Sequence, residues 1–292
     1  MKMHCVKYHD MKVTVIGLGL IGGSMAVDLK KRHFADQVFG VEADSLHAST
    51  AQNMGLVDKI VTFEEGVSAA DLIILAIPVG TALKLVVKVL DLLESNPSAV
   101  VIDVCSTKGN IVRAVSGHPR RGRYVATHPM AGTEYSGPWA AMSGLFDGRA
   151  CILCNAGESD GDATALVRKV YDVLNMRVIS MEAAQHDVHT AYVSHISHVT
   201  SFALALTVLE KEKDETHIFD LASGGFSSTV RLAKSNADMW VPILTQNRDN
   251  VLQVMDTYLE KMKEIRTAIA EENEGEIRRL IEEANRIRRI LR

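Results

Sequence analysis

Three glycines in the order Gly17-Leu18-Gly19-Leu20-Ile21-Gly22 stand directly after a β-branched run, 12–16, and open a helical pattern. Such spacing demands a strand that turns tightly into a helix. Gly17 permits the turn, and Gly19 lets the backbone approach a pyrophosphate. Gly22 lets the helix pack closely on the strand, while the N–H groups of its first turn, around Leu20 and Ile21, face the anion. The plainer alternative is a glycine turn with no ligand. Glu42 falls twenty residues after Gly22, at the end of a second strand pattern, where a carboxylate accepts hydrogen bonds from a ribose diol. Residues 43–46 are Ala-Asp-Ser-Leu, without arginine or lysine to hold a 2′-phosphate. NAD is therefore expected over NADP, against the alternative of an exposed strand-end carboxylate.

The same alternation continues to about residue 180. Strands are expected at 12–16, 37–41, 59–61, 72–76, 100–103, 124–127, 150–153 and 177–180. Helices are expected near 24–31, 46–54, 81–93, 108–115 and 163–174. Runs such as Leu72-Ile73-Ile74-Leu75-Ala76 are apolar throughout, as in strands covered on both faces. The expected class is α/β, a Rossmann-like, mostly parallel, doubly wound sheet. Beyond Ser180 the strand signal stops, and Pro242 is the single proline from 182 to 292. Val251, Met255, Tyr258, Met262, Ile265 and Ile269 recur at 4–3 spacing, and Ile277, Leu280, Ile281, Ala284, Ile287 and Leu291 continue the theme. This predicts an all-helical second domain, so the expected division is 1–181 and 182–292. The stripe suits an internal seam or a dimer seam equally. The arginines from 278 onward alternate with Glu276, Glu282 and Glu283, as on a solvated helix face.

A net charge of −4 argues against a nucleic-acid partner. Lys2, Lys7 and Lys12 precede the apolar run 13–21 and imitate a secretory signal. That run carries patterned glycines, however, and no cleavage site follows it. No apolar stretch is expected to reach the roughly 18 residues that span a bilayer. Four cysteines form no disulfide framework, so the reducing cytoplasm is the expected location.

His128 follows the strand pattern 124–127, at the strand edge where ligands gather in open α/β sheets, and an imidazole there can accept a proton. Ser106 occupies the same edge after 100–103, with helix N-cap as its alternative role. His186, His189, His195 and His198 suggest a metal site. On a straight helix, however, the first and second pairs are about 13 Å apart and cannot converge on one ion. No metal is expected. His195 and His198 share a face and suit an anion. Cys151 and Cys154, three apart on a strand, point to opposite faces and are expected to pack in the core.

Taken in order, the glycine turn, Ala76-Ile77-Pro78-Val79, Asp103-Val104-Cys105-Ser106-Thr107-Lys108, His128-Pro129-Met130-Ala131-Gly132-Thr133-Glu134, Ser194-His195-Ile196-Ser197-His198 and Gly224-Gly225-Phe226 with Arg231 resemble the prephenate/arogenate dehydrogenase family. The resemblance spans about residues 12 to 290. It implies an NAD-binding domain followed by a helical domain that forms a homodimer and completes the site for prephenate. It implies that His128 is the catalytic base and that Ser106 hydrogen-bonds it. Glu134 then guards the site, His195 and His198 line the substrate pocket, and Arg231 anchors a substrate carboxylate. Pro78 joins Gly17, Gly19, Leu20, Ile21, Gly22 and Glu42 at the cofactor. Two positions depart from the family pattern: Ser197 replaces a common proline, and Ser227 a common arginine, leaving Arg231 as the nearby cation. Arogenate as substrate remains open. A β-hydroxyacid dehydrogenase would use a lysine where this helix offers histidines, and an NAD-sensing dimer would need none of Ser106, His128 and Arg231.

Overall fold

The computed structural model describes residues 10–213 and 217–290. Lys2, Lys7, Leu291 and Arg292 lie outside them. The α/β part runs β1 (Lys12–Ile16), α1 (Leu20–Lys31), β2 (Gln37–Val41), α2 (Ser45–Asn53), β3 (Lys59–Ile60), α3 (Phe63–Ala69), β4 (Leu72–Leu75) and α4 (Val79–Leu92). It continues with β5 (Val100–Asp103), α5 (Gly109–Val115), β6 (Tyr124–Pro129), β7 (Ala150–Cys154), α6 (Gly161–Val173) and β8 (Arg177–Met181). Helices α7 (Ala183–Thr190), α8 (Ile196–Glu212), α9 (Gly224–Thr229), α10 (Ala237–Gln246), α11 (Arg248–Ala270) and α12 (Glu274–Ala284) follow.

The strands form one eight-stranded sheet in the order β3-β2-β1-β4-β5-β6-β7-β8. All neighbours are parallel except β6 and β7, which run antiparallel with His128 opposite Ile152. Chain order reverses between β1 and β4, so a crevice opens beyond their carboxyl ends. Alternate strand residues feed two cores. Val13, Val15, Leu72, Ile74 and Cys151 enter one, and Ile16, Ile73, Leu75 and Cys154 the other. Cys151 and Cys154 thus pack on opposite faces, and burial pushes the Cys154 thiol up to about 12.

Helix α3 is not among those expected from periodicity. It is one short element opened by a capping box in which Thr62 and Glu65 exchange hydrogen bonds. The helical stretch 183–212 also differs from expectation. An 18-residue window of mean hydropathy 1.3 makes it long and apolar enough, by length and composition, to cross a membrane. A π-helical turn, Ala191–His195, interrupts this stretch between α7 and α8.

By contacts the chain forms two compact units, one extending to Asn247 and one starting at Arg248. Helices α7 to α10 therefore pack within the sheet-containing unit, beyond the 181/182 division expected from sequence. In the second unit, Arg279 bridges Glu276 and Glu283. Tyr258, Leu259, Met262, Ile265 and Ile269 are exposed on α11.

Candidate active site

The turn after β1 is a cradle that only glycine fits. Gly17 adopts φ +95°, and a Cβ there would lie 2.5 Å from the Ala76 carbonyl oxygen. A Cβ on Gly22 would come within 2.0 Å of the Gly17 carbonyl oxygen, so α1 packs against the turn itself. Gly19 differs, because a Cβ on it would meet nothing within 4 Å. Its bareness therefore serves the open side, where a phosphate would approach. Gly19 is also the N-cap of α1 and offers no side-chain cap, leaving the first-turn N–H groups of Leu20 and Ile21 to a ligand. Glu42 is tied to this turn, since its Oε2 accepts from Leu18 N at 2.9 Å and its Oε1 from Ala43 N at 2.9 Å. Pro78 caps α4 at the neighbouring strand end. These residues fit a dinucleotide with its pyrophosphate over Gly19.

His128 sits on β6 among the sheet's carboxyl ends and is 9% exposed. Its Nδ1 lies 2.8 Å from His186 Nε2, and His186 Nδ1 lies 2.8 Å from Asp187 Oδ1. Burial, reinforced by His186, Lys108 and His195, pushes the His128 imidazole well below its usual 6.5, so the ring is neutral at physiological pH. Burial raises Asp187, but the His186 ring and the N–H groups of Gly109 and Lys108 outweigh it and hold the carboxyl below its usual range. Near His128 lies a buried ion pair between Lys108 and Asp103. Lys108 Nζ also donates to the Thr127 carbonyl at 2.7 Å, and Tyr124 Oη donates to Asp103 Oδ1 at 2.6 Å. Removing either partner would strand a buried charge, so this pair fixes the strand ends rigidly.

A run of contacts leads from His128 to the expected substrate residues. Asn247 Nδ2 donates to the Asp187 carbonyl at 2.7 Å and lies 3.1 Å from His195 Nδ1. Burial takes His195 down to about 4. The His195 ring meets Trp240 edge-on, and the His198 ring stacks on Trp240 with centroids 3.5 Å apart. The buried Trp240 Nε1 has no hydrogen-bond partner among the described residues. A buried donor of that kind beside two imidazoles suits a polar ligand. Burial, and then the nearby Arg231 charge, lower the His198 imidazole. Arg231 Nη1 pairs with Glu134 Oε2 at 3.0 Å.

The structure thus links His128, His195 and His198 by contacts, with the Arg231–Glu134 pair close enough for its charge to bear on His198, through residues the sequence reading did not assign. Those are His186, Asp187, Trp240 and Asn247. The cluster of histidines was the available signal, but it pointed toward metal, and His186 instead turns to His128 while His189 is exposed. Among the described residues no three histidine, cysteine or acidic side chains are grouped to hold an ion.

The roles expected of Ser106 and Arg231 need correction. Ser106, partly buried, has no hydrogen bond to His128, whose Nδ1 faces His186 instead. Nor does Ser106 cap α5; Asp187 does, accepting from Lys108 N and Gly109 N at 2.8 Å each. Arg231 opens a 3-10 turn, its side chain is 51% exposed, and it already holds Glu134. Lys234 also acts on Glu134, so Arg231 is not the sole cation nearby.

Because His128, His186 and His195 are all depressed in the folded state, the unfolded chain binds protons more readily below pH 6.5. Their stabilising effect is complete above that pH and is lost as pH falls toward the folded values. Thermal denaturation from pH 7.5 to 5 should show a falling Tm. His195→Asn should flatten that dependence, and an unchanged slope would remove His195 from the effect.

Residues 25–180 match the family profile described as prephenate dehydrogenase, nucleotide-binding domain, and residues 182–283 match prephenate dehydrogenase, dimerization domain. The prephenate dehydrogenase of Bacillus subtilis (strain 168) is 32% identical over 271 residues, covering 91% of this chain and 72% of that protein. A cyclohexadienyl dehydrogenase of Zymomonas mobilis is 28% identical, with 89% of each chain covered. The structure of prephenate dehydrogenase from A. aeolicus, in complex with hydroxyphenyl propionate and NAD+, superposes with a TM-score of 0.86 at 27% identity, covering 97% of this chain and 98% of that one. With the two profiles matched in order, one over the sheet-bearing part from residue 25 and one over the histidine-bearing helices, the chain belongs to the prephenate dehydrogenase family.

Proposed function

We propose that this protein oxidises prephenate with NAD and releases CO2, giving 4-hydroxyphenylpyruvate for tyrosine synthesis. The observation that carries this reading is a buried, neutral His128 at the sheet edge that also bears the glycine cradle. Gly17, Gly19, Leu20, Ile21, Gly22, Glu42 and Pro78 hold the cofactor. When bound, NAD supplies the hydride acceptor for C4, and departure of the ring carboxylate as CO2 makes the ring aromatic. His128 takes the C4 hydroxyl proton, which is general-base work by a correctly placed group. Arg231 meets a substrate carboxylate, His195 and His198 line the ring's pocket, and Glu134 closes its entrance. Ser106 stands at the same edge, within reach of the substrate rather than bonded to the base.

Residues 1–181 serve NAD and residues 182–292 serve substrate and dimerisation. Val193, Leu206 and Leu209 are exposed on the 183–212 stretch, and α11 exposes its own apolar stripe. We assign these faces to a second copy in a homodimer, not to lipid. The free thiols of Cys105, Cys151 and Cys154 suit a cytoplasmic enzyme.

The deciding experiment compares kcat/KM for prephenate and arogenate, each with NAD and NADP. Prephenate with NAD should be the preferred pair. Preference for arogenate would move the protein to the other branch of the family, and no NADH formation from either would end the proposal. Glu42→Ala should raise KM for NAD and narrow the NAD:NADP preference by about tenfold, since a carboxylate repels a 2′-phosphate. Equal kcat/KM for the two cofactors in the unmodified protein would refute this role for Glu42.

A further inference from the structure

His186 is held at both ring nitrogens. Its Nδ1 faces Asp187 Oδ1, and its Nε2 faces His128 Nδ1, each at 2.8 Å. Asp187 accepts in addition from the backbone N–H groups of Lys108 and Gly109. A carboxylate surrounded by donors is ionised and can only accept. His186 Nδ1 therefore carries the proton and donates it. A neutral imidazole has one N–H, so His186 Nε2 keeps a lone pair and accepts. The donor it faces is then His128 Nδ1–H. His128 in consequence keeps its Nε2 unprotonated, the atom needed to receive a proton.

We infer that Asp187 and His186 form a relay that fixes the tautomer of His128, making both positioning residues for the base; this rests on His128 acting as the proton acceptor proposed above. When His128 Nε2 takes the substrate hydroxyl proton, Nδ1–H stays bonded to His186. The positive charge is then stabilised through the His186 ring by the Asp187 carboxylate, with no second proton transferred. Other charged or titratable groups bear on His128 from each side. Lys108 precedes α5 and is paired with Asp103 of β5, and His195 lies on the π-helical turn and is neutral. None of these offers His128 an acceptor, so α7 alone supplies one. Asn247, by holding the Asp187 carbonyl, secures α7 in place.

His186→Phe and His186→Gln separate this role from simple core filling. Phenylalanine fills space but cannot accept from His128. Glutamine can accept through Oε1 while donating to Asp187, which preserves the direction of the relay. His186→Phe should lower kcat about 100-fold, with KM for prephenate and affinity for NAD within about twofold, and His186→Gln should recover at least about tenfold of the loss. Histidine-selective ¹⁵N NMR, with the His128 signals identified by their absence in His128→Asn, should show Nδ1 protonated in the unmodified protein. In His186→Phe the His128 proton should redistribute toward Nε2. A folded His186→Phe variant with kcat within threefold of the unmodified protein would overturn the relay, as would an Nε2-protonated His128 in the unmodified protein. If His186→Phe does not fold, the glutamine variant and the tautomer of the unmodified protein decide the question. Should the unmodified protein not turn over prephenate, the functional proposal falls, while the tautomer still reports on the relay.

Discussion

His128→Asn should retain its fold and its affinity for NAD while oxidising prephenate about two to four orders of magnitude more slowly, the loss expected when a general base is removed. The pH profile makes the assignment specific. A base works only when unprotonated, so kcat/KM falls as pH drops through its pKa. Burial and the neighbouring His186, Lys108 and His195 depress that value in the free enzyme. The acid limb should therefore lie below the ordinary imidazole value of about 6.5 and extend activity into mildly acidic solution. It should vanish in the asparagine variant. A variant with near-normal kcat, or an acid limb unmoved by the substitution, would sink the assignment.

Arg231→Ala should raise KM for prephenate by at least about tenfold and leave NAD affinity nearly unchanged. The side chain is half-exposed, so screening keeps the effect near the lower end of what truncating a charged partner costs, about 2 kcal/mol. Lysine should rescue only partly, because it lacks the bidentate fork. Glu134 supplies the discriminating variant, since it already occupies Arg231 at 3.0 Å. If Arg231 anchors the substrate, Glu134→Gln removes a resident competitor and lowers KM. If Arg231 only pins the loop carrying Glu134, KM rises in both variants and the anchor lies elsewhere.

The sheet was legible because its signals are local. Apolar runs, glycine spacing and the Glu42 offset each report on a few neighbouring residues, and the observed strands fall where those runs are. Helix α3 escaped because a seven-residue helix has too few turns to show a period, although its Thr62-x-x-Glu65 cap was present to read. The site was legible only in part, for a different reason. His128 bonds to a residue 58 positions later, and the cap of α5 comes from Asp187, 78 positions after Gly109. No periodicity encodes such pairings, which arise only when α7 docks on the sheet. The π-helical turn had the same effect on the histidine arithmetic, since it breaks the uniform helix assumed between His189 and His195.

The antiparallel strand β7 has a consequence for motion. Strand β5 pairs with β6 only as far as Ala126, whereas β7 follows it on to Pro129. The backbone carrying His128 is thereby laddered past the point where a parallel neighbour ends, with its side chain braced from α7. Glu134 and Arg231, by contrast, meet across solvent with one ion pair between them. Amide exchange should therefore be slow along 126–129 and 151–154 and fast around 131–137. The two regions then keep different clocks. On the proposed reading, substrate would enter and leave through the loosely held Glu134–Arg231 side many times over, while His128 holds its position.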